Sequence, residues 1–233
     1  PNPGASRSEA AVQDGLSDAI RSCQGRVVVT CFASNLARLH SLAEIAMDSG
    51  RHAGLLGRSL LRMQSHGRAH GYLRSRPGFI GAWELGFLPR EQQLWVCTGS
   101  QGEPAAGDHP QLALEAGDTV LFSSRLIPGN ELPLQRIREQ LLGQGVQIID
   151  DDMAPIHASG HPPQDDLRQL YSWLRPRHLL PVHGEEYHQQ AHLAFARSLG
   201  INGLVPANGQ LIDLSGQPCR VADMPWGLVQ IQR

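Results

Sequence analysis

The sequence predicts an α/β protein built on a doubly wound parallel sheet, because two kinds of segment alternate along the chain. Short apolar runs bounded by turn residues, such as 26–31, are typical of buried strands in a parallel sheet. Segments with apolar residues at spacings of three and four, such as 35–49, are typical of amphipathic helices. The strand 26–31, the helix 35–49 and a strand over 52–56 form a βαβ unit, which implies a right-handed crossover between parallel strands.

The same pattern continues and forms a second βαβ-like unit. Further strands are predicted over 94–98, 119–122 and 146–149, and further helices over 59–70 and 132–143.

The character of the sequence changes after the acidic run Asp150-Asp151-Asp152. With 233 residues, the chain is long enough for one large domain or for two lobes. We predict a first lobe over 1–152, in which the first ~20 residues are a linker, and a second lobe over 153–233. In the second lobe we predict helices over 164–174 and 188–199, a strand over 179–182, and a terminal hairpin-like strand over 210–214.

The formal net charge is −2 and the pI is about 6.6. The overall charge of the chain therefore does not indicate a nucleic-acid-binding protein. All 20 basic residues are Arg, for which a compositional bias of the source genome is a sufficient explanation. From Ser49 to Trp83 there is no acidic residue. Because Arg binds phosphate in a bidentate manner, this stretch fits a footprint for a nucleic-acid backbone, and it fits a solvated helical face equally well. Its basic residues and histidines are Arg51, His52, Arg58, Arg62, His66, Arg68, His70, Arg74 and Arg76.

Cysteine usage and hydropathy indicate a reduced, cytoplasmic protein without a membrane partner. The four cysteines show no C-x-x-C pairing, and Cys31 and Cys97 lie in apolar runs where we expect them to be buried. No apolar stretch reaches the ~18 residues of a membrane span, and no signal peptide is evident. The chain opens with Pro-Asn-Pro-Gly and without an initiator Met, which suggests a cut end.

Four polar loops follow predicted strands: 98–100, 123–124, 157–161 and the loop at His183. In an open α/β sheet, ligands collect at the carboxyl ends of the strands, so these loops form one candidate site. Gly, Ser and Thr present backbone N–H groups and hydroxyls that bind phosphate without base specificity. Each loop taken singly is also explained by ordinary turn chemistry.

His157, His161 and His183 are the candidates for metal binding or acid/base work. Ser159 and Gly160 between the first two indicate a loop, so those two rings need not share a metal. His183 follows the predicted strand 179–182, where either a rigidly held ligand or a purely structural histidine fits. A catalytic zinc takes at least three protein ligands, and the chain has no H-x-H-x-D-H cluster, so any metal site here is partial.

Several motifs in order resemble ribonuclease J, of the β-CASP branch of the metallo-β-lactamase superfamily. They are Phe32-Ala33-Ser34-Asn35, Gly57-Arg58-Ser59, Thr98-Gly99-Ser100-Gln101-Gly102-Glu103-Pro104, Gly117-Asp118-Thr119-Val120, Ile127-Pro128-Gly129-Asn130-Glu131, His157-Ala158-Ser159-Gly160-His161 and Pro181-Val182-His183-Gly184-Glu185. The resemblance implies a β-CASP doubly wound parallel-sheet lobe over 1–152 and the C-terminal return of a metallo-β-lactamase fold over 153–233.

The resemblance also implies roles for individual residues. His183 matches the last zinc ligand of the family, and His161 matches the catalytic histidine that contacts the scissile phosphate and assists proton transfer. The loop 157–161 matches the phosphate-binding loop, and 32–35 falls where the family contacts RNA. The substrate-binding residues that we predict are Phe32, Ala33, Ser34, Asn35, Arg58, Ser59, Ser100, Gln101, Gly102, Ser123, Ser124, Asn130, His157, Ala158, Ser159, Gly160 and His161.

A protein with these features is expected to be a two-zinc ribonuclease whose other zinc ligands belong to an N-terminal metallo-β-lactamase half that this chain lacks. RNA and that missing half are the expected partners, and a homo-oligomer is a further partner hypothesis. The fragment alone is then expected to be inactive. Two alternatives remain: a non-catalytic RNA-binding or regulatory module, and a hydrolase of small molecules, which would leave the Arg-rich insertion without a role.

Overall fold

The computed structural model describes residues 2–73, 78–98, 112–124 and 131–227, and it divides the chain into two compact units. One unit is Arg7–Ser159, and the other comprises the described residues of 1–6 and of 160–233. The lobe boundary that we place at 152/153 from the sequence stays a prediction. No helix in the described ranges combines the length and the apolar character that crossing a membrane demands.

A parallel five-stranded sheet organises the first unit, with strand order β2-β3-β1-β4-β5. The elements along the chain are α1 (Glu9–Ser22), β1 (Val27–Thr30), α2 (Leu36–Asp48), β2 (His52–Leu56), α3 (Arg58–Ala69), α4 (Ala82–Gly86), a 3₁₀ turn (Arg90–Gln92), β3 (Gln93–Cys97), β4 (Thr119–Phe122), α5 (Glu131–Gly143) and β5 (Gln147–Ile149).

The sheet is covered on both faces because its strands are apolar on both faces. Val27 and Val29 belong to one buried cluster, which also holds the buried apolar residues of α1 and α2 and Leu60 of α3. Val28 of the same strand faces a second cluster, which includes residues of α4 and α5. Successive side chains of a strand point to opposite faces, so a continuous run of valines requires helices on each side. The predicted doubly wound parallel sheet is therefore confirmed.

The prediction that the first ~20 residues are a linker is wrong, because α1 (Glu9–Ser22) is part of the core. The Ser8 hydroxyl caps the helix by accepting from the Ala11 amide at 3.1 Å. Val12, Leu16 and Ile20, spaced by four residues, are fully buried. The signal was present as a capping serine followed by an apolar stripe, but it is diluted by the polar residues of the other helix face.

A buried arginine at the carboxyl edge of the sheet joins α1 and α2 to two loops. Arg38 is only 1% exposed. Its Nε and Nη2 atoms donate to the two carboxylate oxygens of Glu9, each at 3.1 Å. Its Nη1 atom donates to the hydroxyl of Ser123 and, at 3.1 Å, to the carbonyl of Ile156. The Ser123 hydroxyl donates to the same Ile156 carbonyl at 2.6 Å, so one guanidinium fixes the end of β4 and the start of the loop 156–159.

The second unit holds a smaller core, formed by Leu167, Tyr171, Phe195 and Ala196. Its elements are α6 (Gln164–Leu174), β6 (His178–Leu179), α7 (Glu186–Ser198), β7 (Asn202–Gly203), β8 (Gln210–Asp213) and β9 (Cys219–Asp223). Strands β6 and β7 pair in parallel, and β8 and β9 form the predicted terminal hairpin.

The strand predicted over 179–182 is shorter and lies earlier than expected, at His178–Leu179. Pro181 has no backbone N–H and cannot continue the ladder of hydrogen bonds. Val182 is 80% exposed, so the apolar run does not continue into the core. His183 therefore lies in the loop that leads into α7 rather than at the end of a strand.

Replacing Arg38 by Met tests the buried network. We expect Arg38→Met to lower the free energy of unfolding by about 3 kcal/mol, because it leaves the Ile156 carbonyl and Ser123 with fewer partners and Glu9 without its cation. Arg136→Gln is the matched control, and we expect it to cost about 0.5 kcal/mol or less because Arg136 is an exposed arginine of α5. Urea denaturation of both variants provides the measurement. If both variants lose an equally small amount of unfolding free energy, the stabilising role assigned to Arg38 is wrong.

Candidate nucleic-acid interface

Three loops with predicted site residues lie at the carboxyl edge of the parallel sheet. In the registers of the sheet, Thr30 of β1 lies beside Phe122 of β4 and beside Cys97 of β3, and Cys97 lies beside Leu56 of β2. Because these strands are parallel and end level with each other, the residues that follow them share one edge. The predicted residues that the structure brings to this edge are Phe32, Ala33, Ser34, Asn35, Arg58, Ser59, Ser123 and Ser124.

Four predicted RNA contacts fall outside the described residues. They are Ser100, Gln101 and Gly102 in the loop that follows β3, and Asn130 just before α5.

The turn after β1 presents an aromatic ring and a hydroxyl at the sheet edge. Phe32 is 38% exposed and Ser34 is exposed, while the Asn35 amide donates to the Phe32 carbonyl at 3.1 Å and closes the turn. Asn35 is the N-cap of α2: its side-chain oxygen accepts from the Arg38 amide at 3.0 Å. Its Nδ2 atom donates to Glu9 at 3.2 Å. Both hydrogen-bonding ends of Asn35 thus hold the turn in place.

The turn after β2 needs a glycine and begins a basic helix. Gly57 has φ of 110°, a value that residues with a Cβ rarely adopt. Arg58 and Ser59 follow in the first turn of α3, and both are exposed. No side chain caps this helix. The backbone geometry therefore sets the direction in which the Arg58 guanidinium leaves the sheet edge.

Loop 156–159 is held from both sides by charged groups of the same unit. The Arg38 network binds it at Ile156, and a second clamp binds it at His157. Arg7 forms an ion pair with Asp151 and donates to the His157 carbonyl at 3.2 Å. The His157 amide donates to Asp151 at 3.2 Å. His157 is only 7% exposed, whereas Ala158 and Ser159 are half-buried. The start of the loop is therefore fixed in the protein, and its end is partly accessible to solvent.

Ser123, predicted as an RNA contact, is buried and uses its hydroxyl inside the protein. Its Oγ atom donates to the Ile156 carbonyl and accepts from Arg38. This placement favours a role in supporting loop 156–159 over a direct contact with RNA. Ser124, the next residue, is half-buried.

The Arg-rich stretch divides into buried and exposed arginines. Arg51 is 7% exposed and donates to the backbone carbonyls of Cys23 at 2.6 Å, Gly25 at 2.8 Å and Gln93 at 3.4 Å. It is therefore a structural residue and contributes nothing to a surface footprint. Arg58 and Arg62 of α3 are exposed.

His161 and His183 lie together in the second unit. Their ring centroids are 6.1 Å apart, the ring planes differ by 13°, and both residues are exposed. Imidazole nitrogens suit zinc as ligands. Within the described ranges, however, no group of three or more His, Cys, Asp and Glu residues is assembled that could hold a metal ion. The described donors therefore do not form a complete zinc site.

The residues that sequence reasoning missed are the ones behind the loops: Glu9, Arg38, Arg7 and Asp151. They carry no motif, because each acts through a partner that is remote in sequence. The one local signal was Asn35 three residues before Arg38, which fits an N-cap, but it predicts a helix start and not a buried guanidinium.

Comparison with known families finds two matching models on this chain. Residues 24–141 match the model described as Ribonuclease J, beta-CASP domain. Residues 150–206 match the model described as Zn-dependent metallo-hydrolase RNA specificity domain. The first match covers the parallel sheet up to α5, and the second covers the loop with His157 and the two stacked histidines.

Curated relatives resemble the chain over nearly its whole length. A Ribonuclease J of Sinorhizobium meliloti is 40% identical over 94% of this chain, one of Synechocystis is 36% identical over 97%, and Ribonuclease J2 of Bacillus subtilis is 33% identical over 98%. The chain spans only 40%, 37% and 43% of the length of these relatives, respectively. The predicted resemblance is confirmed, and the chain belongs to the ribonuclease J family through its β-CASP domain.

Proposed function

We propose that this chain is part of a metal-dependent ribonuclease that hydrolyses RNA phosphodiester bonds in RNA processing or decay. In this proposal the chain supplies the RNA-binding surface, one zinc ligand and a histidine for the scissile phosphate. The observation that carries the proposal is the pair His161 and His183, whose exposed rings lie 6.1 Å apart between centroids. Membership of the ribonuclease J family supports the same reaction.

The two histidines would have different roles. We assign His183 as the zinc ligand and His161 as the group that contacts the phosphate and transfers a proton, because a phosphate at the metal lies within reach of a neighbouring imidazole. A zinc ion bound at His183 and at ligands from the rest of the protein would supply Lewis-acid and water-activating chemistry. We assign no base-reading role to either ring.

The loops at the sheet edge fit an RNA backbone better than a small molecule. Arg58 offers a bidentate fork for phosphate, and Ser59 and Ser159 offer hydroxyls, none of which distinguishes bases. Phe32 offers a half-exposed ring on which a base can stack. A lactam or thioester hydrolase would need none of these groups.

The second unit exposes large apolar side chains, as expected of a surface that a partner covers. Trp173, Val182, Tyr187 and Trp226 are between 66% and 80% exposed. We propose that a metallo-β-lactamase half, for which the greater length of the relatives leaves room, covers this surface. We further propose a cytoplasmic location, which is supported by four free cysteines, and we retain a homo-oligomer as a partner hypothesis.

A second candidate function is a non-catalytic RNA-binding or regulatory module. It is favoured by the incomplete ligand set of the described residues and needs only the loops of the sheet edge. The two candidates differ in whether the complete protein cleaves RNA, and this difference determines the experiments.

The first experiment compares the complete protein with its His183→Ala variant on 5′-monophosphorylated RNA in zinc or manganese. We expect cleavage to fall by at least about 100-fold, because a lost metal ligand costs more than a lost outer-shell partner, while RNA binding persists. His52→Ala is the matched control, since His52 is an exposed histidine at the amino end of β2, at the opposite edge of the sheet. Undiminished cleavage by His183→Ala would contradict the ligand role.

The second experiment measures zinc in the 233-residue chain after dialysis against metal-free buffer. We expect well below one zinc per chain, because tight binding needs at least three protein ligands and His183 supplies one. Elemental analysis provides the measurement, and His183→Ala provides the background level. A tight, stoichiometric two-zinc site in this chain alone would show that its ligand set is complete and would contradict the assignment.

A further inference from the structure

We propose that the exposed face of α3 is a second contact surface for single-stranded RNA, which continues from the sheet edge and reads no bases. The inference rests on the proposed function, because it assumes that RNA occupies the sheet edge. It assigns a role to the acid-free Arg-rich stretch, for which the sequence alone left a footprint and a solvated face equally open.

The charges on α3 are of one sign and lie on one side of the helix. No acidic residue occurs between Asp48 and Glu84. Arg58, Arg62 and His66 follow each other at spacings of four, which places them along one stripe of a helix, and all three are exposed. The buried residues of the helix, Leu60 and Gly67, lie on the other side.

No carboxylate of the described residues pairs with the two guanidinium groups of this stripe. Among the described residues, neither Arg58 nor Arg62 takes part in a salt bridge, whereas Arg138 and Arg168 pair with Asp150 and Asp165. On a solvated helix face that carries charges of both signs, neighbouring cations and carboxylates offset each other. Helix α3 carries no carboxylate. Such a stripe fits a polyanion, whose phosphates supply the missing negative charge.

Not every arginine of the helix belongs to the stripe. The Arg68 guanidinium lies against Gly78, where a Cβ atom would overlap it, so Arg68 packs against the chain. This separation matters for the test, because it limits the stripe to Arg58, Arg62 and His66 and leaves Arg68 untouched.

Exposed aromatic rings lie at the sheet edge where the stripe begins and just after the helix that carries it. The stripe begins one residue after Gly57, at the edge where Phe32 lies, and His66 is about 12 Å further along the helix axis at 1.5 Å per residue. Tyr72, 70% exposed, lies just beyond the end of the helix, where its amide donates to the Gly67 carbonyl at 2.9 Å. Cationic groups between aromatic platforms are typical of surfaces for single strands, whose unstacked bases can stack on the rings.

The test is fluorescence anisotropy with the 233-residue chain and two 5′-monophosphorylated RNAs, one of about 4 and one of about 16 nucleotides. The double variant Arg62→Gln/His66→Gln removes the stripe beyond the sheet edge. Arg58→Gln probes the sheet edge itself. Arg136→Gln is the matched control, because Arg136 is an exposed arginine of α5, on the opposite face of the sheet, and has no salt bridge among the described residues. Circular dichroism melting checks that each variant is folded.

We expect the double variant to bind the long RNA roughly tenfold more weakly and with a salt slope reduced by about 0.7 for each lost phosphate contact. Its affinity for the short RNA should equal that of the unmodified chain, and Arg136→Gln should change neither. Arg58→Gln should weaken both RNAs.

Three outcomes would overturn the inference, and a fourth would contradict the proposed function as well. The proposed contact is wrong if the double variant binds the long RNA normally while Arg58→Gln weakens both RNAs, and the proposed function then stands. It is also wrong if the double variant weakens both RNAs equally, or if polyglutamate displaces the long RNA as well as unlabelled RNA does, which would indicate an acidic protein partner. Failure of the unmodified chain to bind either RNA would contradict the proposed function itself.

Discussion

The guanidinium of Arg38 is the constraint on which the geometry of the sheet edge depends. A buried cation is tolerated only when its hydrogen bonds and its charge are satisfied, and here Glu9, Ser123 and Ile156 satisfy them. These partners come from α1, from the end of β4 and from the loop 156–159. Moving α1 would leave the buried charge without its counter-ion, and moving either of the other two segments would remove a hydrogen bond from the buried guanidinium. The loop that carries Ser159, a proposed phosphate contact, is thus held by a guanidinium that also binds α1.

Arginine serves two opposite purposes in this chain, and net charge conceals both. Arg38 and Arg51 are buried and bind carbonyls, so their charges contribute to folding and not to a surface potential. Arg58 and Arg62 are exposed and have no salt bridge among the described residues. The formal net charge of −2 sums the buried arginines, the exposed arginines and the carboxylates of the whole chain. The electrostatic character that matters for a polyanion is therefore local, at one sheet edge and along one helix.

The sequence predicted the strands of the parallel sheet well because each is a short apolar run. It placed Thr98 and the loop 123–124 at one edge because parallel strands end there together, but the loop of His183 does not follow a strand of this sheet. Prediction from the sequence failed where a structural feature depends on contacts between residues that are distant in the chain or on a single residue that breaks a pattern. Helix α1 was missed because its apolar stripe is interrupted by polar residues, and the strand predicted before His183 was too long because Pro181 cannot donate to a ladder. Arg38 was not predictable from pattern, since arginine is usually exposed and its partners lie 29, 85 and 118 positions away. The roles of His161 and His183 came from the resemblance, whereas their proximity came from the fold.

Amide hydrogen exchange with and without 5′-monophosphorylated RNA is the measurement that decides whether RNA binds at the carboxyl edge of the sheet and along α3. We predict slower exchange in 57–66 and 157–161 when RNA is present, with unchanged exchange in α5 and in the hairpin of β8 and β9. Slower exchange confined to α5, or to the amino edge of the sheet around His52 and Arg51, would contradict it.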